Sequence, residues 1–395
     1  MKGTLSSADV LAAALAVTLV LLVGAAAPPY ARGQAGATAA DLPKNIANLG
    51  DPDFPVRMRA AQLIRRTPAS AAVPALAEAA RKHTNEFVRY KSLVVLTSFN
   101  DPGTRELMRE MIRDPSDRVR EIVYRWFEVR PDPRTATQLL ASLDTEQAEF
   151  VRPALIGALG ALGSTTAVQR PMIVETQRGL DFFRSAVIES LGRHRAAYAL
   201  DAILNVARLM GPLQDDAVLA IGRVGGSDAA ETLKELTELT PEAALMKLAA
   251  RCLVGESCGE QIAALVSAAS APKARPSEIR TAIDALAAVA QAQNQPALAA
   301  LMNLAAKQSS LRDRVASAVA GVALRQPDWT VSRLDAADQA TREAAILMLK
   351  DGFDSLEEDF AEEQFFAAVR AGYWRAAEGS SARTLAETLI QRLEF

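Results

Sequence analysis

The chain has little of what site chemistry is usually built from. Two histidines, His83 and His194, and two cysteines, Cys252 and Cys258, stand in 395 residues. A zinc site needs several nitrogen, sulfur or oxygen ligands at tight spacing, and no His/Cys cluster, HExxH pair or nucleophile elbow is present. No metal site, catalytic residue or cofactor is therefore assigned. Carboxylates are plentiful, but none forms a recognisable acid–base pair, and they read as solvated helix faces. Gly157, Gly160 and Gly163 follow no strand-like run and lack a completing Lys-Ser/Thr, which argues against a phosphate loop. Late in a helix and past its end, they read as close-packing positions or a stop. No run of alternating β-branched residues marks a strand. Aromatic residues make up only 5% of the chain while hydrophobic residues reach 50%, a balance that suits Ala- and Leu-rich helices in close contact.

What is present is repetition. The stretch Asp117 to Phe127 recurs in degraded form along the sequence. With Val-Arg as marker, Val56-Arg57, Val88-Arg89, Val119-Arg120, Val151-Arg152 and Phe183-Arg184 follow one another at steps of 32, 31, 32 and 32 residues. The apolar frame continues at Leu213, Ala244, Ile279, Leu311 and Thr341, with Arg returning at Arg280, Arg312 and Arg342. Apolar or small residues fall at each marker and four and eight places on (Val119, Val123 and Phe127, for example), which is one stripe of a 3.6-residue helix. A second amphipathic stretch precedes each such helix, and Pro or Gly marks the joints, as at Pro68, Pro102-Gly103, Pro115 and Pro241. The unit is a helix–turn–helix. One unit cannot bury its stripe alone, so neighbours must stack.

The V-R-x-x-A/V-x-x-x-L/I frame with an acid just before it resembles HEAT repeats, and the short period is most similar to the HEAT-like class first named from bilin lyases. The resemblance covers roughly residues 42–350. It implies an all-α, right-handed solenoid of about ten helix pairs with a concave binding face. The family includes scaffolds, adaptors and a few enzymes, so the frame is specific for architecture and not for function.

Three segments are expected: a signal peptide or N-terminal membrane anchor over 1–37, the repeat solenoid over 38–350 and a C-terminal helical cap over 351–395. The first rests on the apolar run Val10–Ala27 with cleavage frames behind it, read as a cleaved leader rather than a span. Either way the rest of the chain is expected to be exported, periplasmic or secreted. In that oxidising setting Cys252, on a buried stripe position, and Cys258, at the start of the next helix, are expected to form a disulfide. The tail crowds Phe353, Phe360, Phe365, Phe366, Tyr373 and Trp374 among acids. It reads as the atypical last unit that covers an open array, with an acidic-aromatic docking motif as the functional alternative. Charge is uneven along the axis. Residues 51–195 carry 22 basic against 18 acidic side chains, whereas 328–395 carry 7 against 14, on a chain whose net charge is −3.

Stacking aligns Arg57, Arg89, Arg120, Arg152 and Arg184 in a row. Such a row either receives an anionic partner or forms an internal ladder with Glu86, Asp117, Glu149 and Asp181. Tyr90 lies beside it and is expected to be exposed, whereas Phe87, Phe150 and Phe182 fit core or staple positions. Net charge, export and the acid beside each Arg argue against nucleic acid. The expectation is a non-catalytic protein–protein scaffold of the cell envelope. A lyase of the HEAT-like group and a purely structural spacer are the alternatives. Membrane contact is expected only through the N-terminal segment.

Overall fold

A computed structural model describes residues 41–356 and 359–393. All regular structure among them is helical. Twenty-two α-helices run in neighbouring pairs. The first five pairs are α1 (Leu42–Asn48) and α2 (Phe54–Arg65), α3 (Ala69–Lys82) and α4 (Glu86–Thr97), α5 (Thr104–Met111) and α6 (Asp117–Val129), α7 (Ala136–Thr145) and α8 (Arg152–Ala161), α9 (Thr166–Glu175) and α10 (Asp181–Arg193). The next five are α11 (Leu200–Ala207) and α12 (Gln214–Val224), α13 (Gly226–Glu235) and α14 (Pro241–Leu253), α15 (Cys258–Ala269) and α16 (Pro276–Gln291), α17 (Gln295–Lys307) and α18 (Arg312–Arg325), α19 (Pro327–Ala336) and α20 (Gln339–Phe353). A last pair, α21 (Asp359–Arg375) and α22 (Ser381–Leu393), follows. Every marker residue lies within, or caps, the second helix of one of the first ten pairs. The leader or anchor expected at 1–37 lies outside the described residues. Among those described, no helix is long and apolar enough to cross a membrane.

The stripe residues are buried as their spacing requires. Val119, Val123 and Phe127 are at most 1% exposed, and Val187 and Leu191 are fully covered. Successive second helices pack directly on one another, and small residues set how closely. A Cβ built on Gly222 of α12 would lie 2.4 Å from Ala250 Cα of α14, and one on Gly192 of α10 would lie 2.7 Å from Ala220 Cα of α12.

After the markers Val56, Val119, Val151, Phe183 and Thr341, the arginine fixes the turn between the two helices of its unit. The last carbonyls of a helix lack intrahelical donors, and the arginine supplies them. Arg57 Nη1 donates to the carbonyls of Asp51 and Pro52 at 2.7 and 2.9 Å. Arg120 Nη1 donates to those of Asp114 and Pro115 at 2.8 and 3.1 Å, and Arg184 Nε to that of Thr176 at 2.9 Å. Gln214 does the same where arginine is missing. It is fully buried; its Nε2 donates to the carbonyls of Ala207 and Glu238, and its Oε1 accepts from the Thr240 amide. Gln214→Ala is expected to lower the unfolding free energy by about 1–2 kcal/mol, because those backbone groups lose their partner. Urea denaturation checks this, and an unchanged midpoint would refute the role.

Cys252 and Cys258 form a disulfide across the turn between α14 and α15, where Gly255 takes φ +93°. The array differs from a simple line of neighbours in one respect. Helix α21 packs on α18 and α19, and also reaches back to α4 and α6. The second helices α4 to α18 and the closing helix α21 thus form one circuit, with contacts between positions 268 and 298 residues apart. The open stack expected from the repeat is closed.

Candidate binding surface

The inner surface of the circuit is made of the second helices, and α21 lies across its first part. Its acidic side meets basic and hydroxyl groups. Glu363 pairs with Arg65 on α2, Nε to Oε2 at 3.2 Å, and the two residues are 2% and 5% exposed. Arg65 also lies over the Phe366 ring, 4.5 Å from its centroid. Asp359 accepts from Lys91 Nζ at 2.7 Å and from the Tyr90 hydroxyl. Gln364 bridges Thr97 Oγ1 and Arg130 Nη1 at 3.2 and 3.0 Å. Arg370 donates to the Ser98 carbonyl at 3.2 Å and stands 4.0 Å from the Phe99 ring centroid.

Tyr90 is therefore not an exposed residue. It is 6% exposed, because the face on which the sequence places it is the seat of α21. Burial and the Asp359 carboxylate push its hydroxyl well above the usual tyrosine range. Phe150 and Phe182 depart in the opposite sense. They are 49% and 68% exposed, while the adjacent Val151 and Phe183 take the core positions.

The arginine row has the contacts of a ladder. Arg184 bonds Asp181 at 2.8 Å, as the sequence suggests. The other rungs use acids at the far end of the next unit's first helix. Arg89 meets Asp114 at 3.3 Å, Arg120 meets Glu146 at 2.8 Å and Arg152 meets Glu175 at 4.0 Å, in place of Glu86, Asp117 and Glu149. Two of those acids are buried, Glu146 and Glu175 at 4% and 2% exposed, and Asp114 is half-buried. Among the described residues no such acid pairs with Arg57, whose hydrogen bonds go to its own turn. The side chains proposed from sequence as partner contacts are thus occupied inside the array.

One acid in the α21 seat is poorly matched. Burial, reinforced by the neighbouring carboxylates of Asp359 and Glu363, raises Glu362 to about 7 against the opposing pull of Arg65 and Lys91. A carboxyl raised on folding favours the folded state when protonated. Its contribution is present in full below its ordinary value of 4.5 and is lost as pH rises through about 7. Glu362→Gln is expected to match the wild type near pH 4.5 and to be the more stable of the two above pH 7. Urea midpoints across that range check this, and a pH-independent difference would contradict it.

Beyond the seat, a cavity of about 1000 Å³ opens where the C-terminal ends of α6, α10, α12, α14, α16 and α18 converge. Arg193 binds Glu128 and lies 3.2 Å from Glu189. Arg223 lies 3.7 Å from Glu189 and donates to Gln291 Oε1 at 3.2 Å. Burial would raise Glu128, but His194, Arg193 and Arg325 outweigh it and hold the carboxyl at about 2. Burial lowers Arg223, and Arg193 and Arg325 add to this against the pull of Glu189. Sequence reasoning missed these groups. They stand in the last turn of helices whose apolar stripe drew the reading, and nothing local reports that six such ends meet.

A family model of HEAT repeats matches residues 42–126, that is, α1 through most of α6. The match is to HEAT repeats in general and says nothing of the bilin-lyase type. No curated protein matches the chain.

Proposed function

We propose, from the premise that this is a HEAT-repeat protein, that it is a non-catalytic scaffold of the cell envelope that holds a protein partner through its inner surface. HEAT repeats are generally protein-interaction scaffolds. The observation that carries the reading is α21 itself. An acidic, aromatic helix is seated on the inner surface by Arg65, Tyr90, Lys91 and Arg130, and a partner segment of like chemistry would suit the same surface. The Cys252–Cys258 disulfide supports an oxidising compartment, in keeping with the apolar segment Val10–Ala27.

In-cell photo-cross-linking tests the proposal. A photoreactive residue at Gln293 or Ala371, which line the cavity, is expected to capture one defined protein. The same probe at the solvent-exposed Glu110 on α5 is expected to capture none. Equal labelling from both positions, or none from the cavity, would favour a structural spacer instead.

A further inference from the structure

We propose that the cavity behind α21 is a binding site for a multiply charged anion, enclosed between an arginine cluster and the alanine face of that helix. This rests on the reading that the inner surface is the working face, and it names the chemistry which that face selects. The cavity walls bring together Arg130, Arg193, Arg223 and Arg325. The wall also holds Arg125 and Arg195, against the carboxylates of Glu128 and Asp328; Arg193 is tied to Glu128 and Glu189, and Arg223 lies 3.7 Å from Glu189. Among the described residues Arg130 hydrogen-bonds amide oxygens, those of Gln364 and Asn100, and burial together with Arg105 lowers it. Among the described residues the cluster thus holds more guanidinium than carboxylate charge. Such clusters bind carboxylate or phosphate oxygens bidentately.

The closing helix adds no acid on this side. It presents Ala367, Ala368 and Ala371 to the cavity, small side chains that leave room in front of the arginines. The Nε2 atom of His194, also in the wall, is buried and lies 3.4 Å from Glu128 Oε1. A polyanion lying along the alanine face would meet guanidinium groups from four second helices and this imidazole. Enclosure makes each such contact stronger than on an open surface. Arginine at a helix C-terminus also offsets the partial negative charge of that end, and this is the competing account of the cluster.

The two accounts separate in a binding experiment on the purified protein. Citrate, pyrophosphate and a hexaglutamate peptide serve as probes, each at an ionic strength matched with sodium chloride. A bound anion is expected to raise Tm by about 3 °C at a hundredfold excess over Kd. Arg130→Gln/Arg223→Gln is expected to weaken binding by tenfold or more. Ala368→Glu places a carboxylate of the chain's own in the cavity, and is expected to abolish the response to every probe while the protein stays folded. A response to hexaglutamate alone identifies the source as acidic side chains of a partner segment. A response to citrate or pyrophosphate identifies a free small anion. No response to any probe, or a response unchanged in Ala368→Glu, overturns the site and leaves the arginines as neutralisers of helix ends. That outcome is independent of cross-linking in cells, so the scaffold reading can survive the loss of the anion site, and the reverse.

Discussion

Glu363→Ala is expected to cost about 3–5 kcal/mol of unfolding free energy. The reason is the depth at which the pair is buried. Arg65 and Glu363 are 5% and 2% exposed, and removing the carboxylate breaks a buried, hydrogen-bonded ion pair. The same logic predicts that Arg65→Met/Glu363→Leu, which removes both charges and fills the space, is close to neutral. Urea denaturation of the two variants measures this directly. Hydrogen exchange should show α21 losing protection in the single variant. A loss below about 1 kcal/mol would mean that the seam is hydrated and that the pair does not hold the circuit closed.

Gly222→Ala should destabilise by about 2–3 kcal/mol, although alanine is the better helix former by about 1 kcal/mol. The atoms in the way decide the sign. The new methyl would sit 2.4 Å from Ala250 Cα and 2.9 Å from the Ala250 carbonyl oxygen. Backbone cannot rotate aside as a flexible side chain can, so α12 and α14 must separate. Gly321 on α18 supplies the control, because nothing lies within 4 Å of the Cβ it would gain. Gly321→Ala should therefore stabilise by about 0.5–1 kcal/mol. Thermal unfolding of both variants tests the pair. A gain in both would mean that the two helices are not in close contact at Gly222.

The parts of the fold that were legible in the sequence are those written at short range. The marker spacing located all ten second helices, because burial of one stripe imposes a 3.6-residue period that any stacked helix must show. Pro and Gly at the joints located the turns. The Cys252–Cys258 pairing was legible because six positions separate the two across a Gly-marked turn. The closure was not, since its contacts join α2 and α4 to α21 and no local period reports a partner nearly 300 positions away. A coarse trace of it did exist. The basic excess of residues 51–195 and the acidic excess after 328 are the two sides of the Arg65–Glu363 and Lys91–Asp359 seam. Tyr90 was misjudged for the same reason, as its face is solvent-facing only in an open stack. The rungs of the ladder were legible as a row of arginines but not in their partners. An acid two places before the marker is near in sequence, whereas Asp114, Glu146 and Glu175 are brought near by stacking.

Closure also removes a freedom that most repeat proteins keep. A linear stack can gain or lose a unit at little cost, because each repeat answers only to its neighbours. Here one extra unit of roughly 32 residues would carry the acidic helix out of register with Arg65 and Lys91. The number of repeats is thus fixed by the fit of the last helix on the first ones. A duplication inside the array should behave as a folding defect, even when every inserted residue is a sound copy.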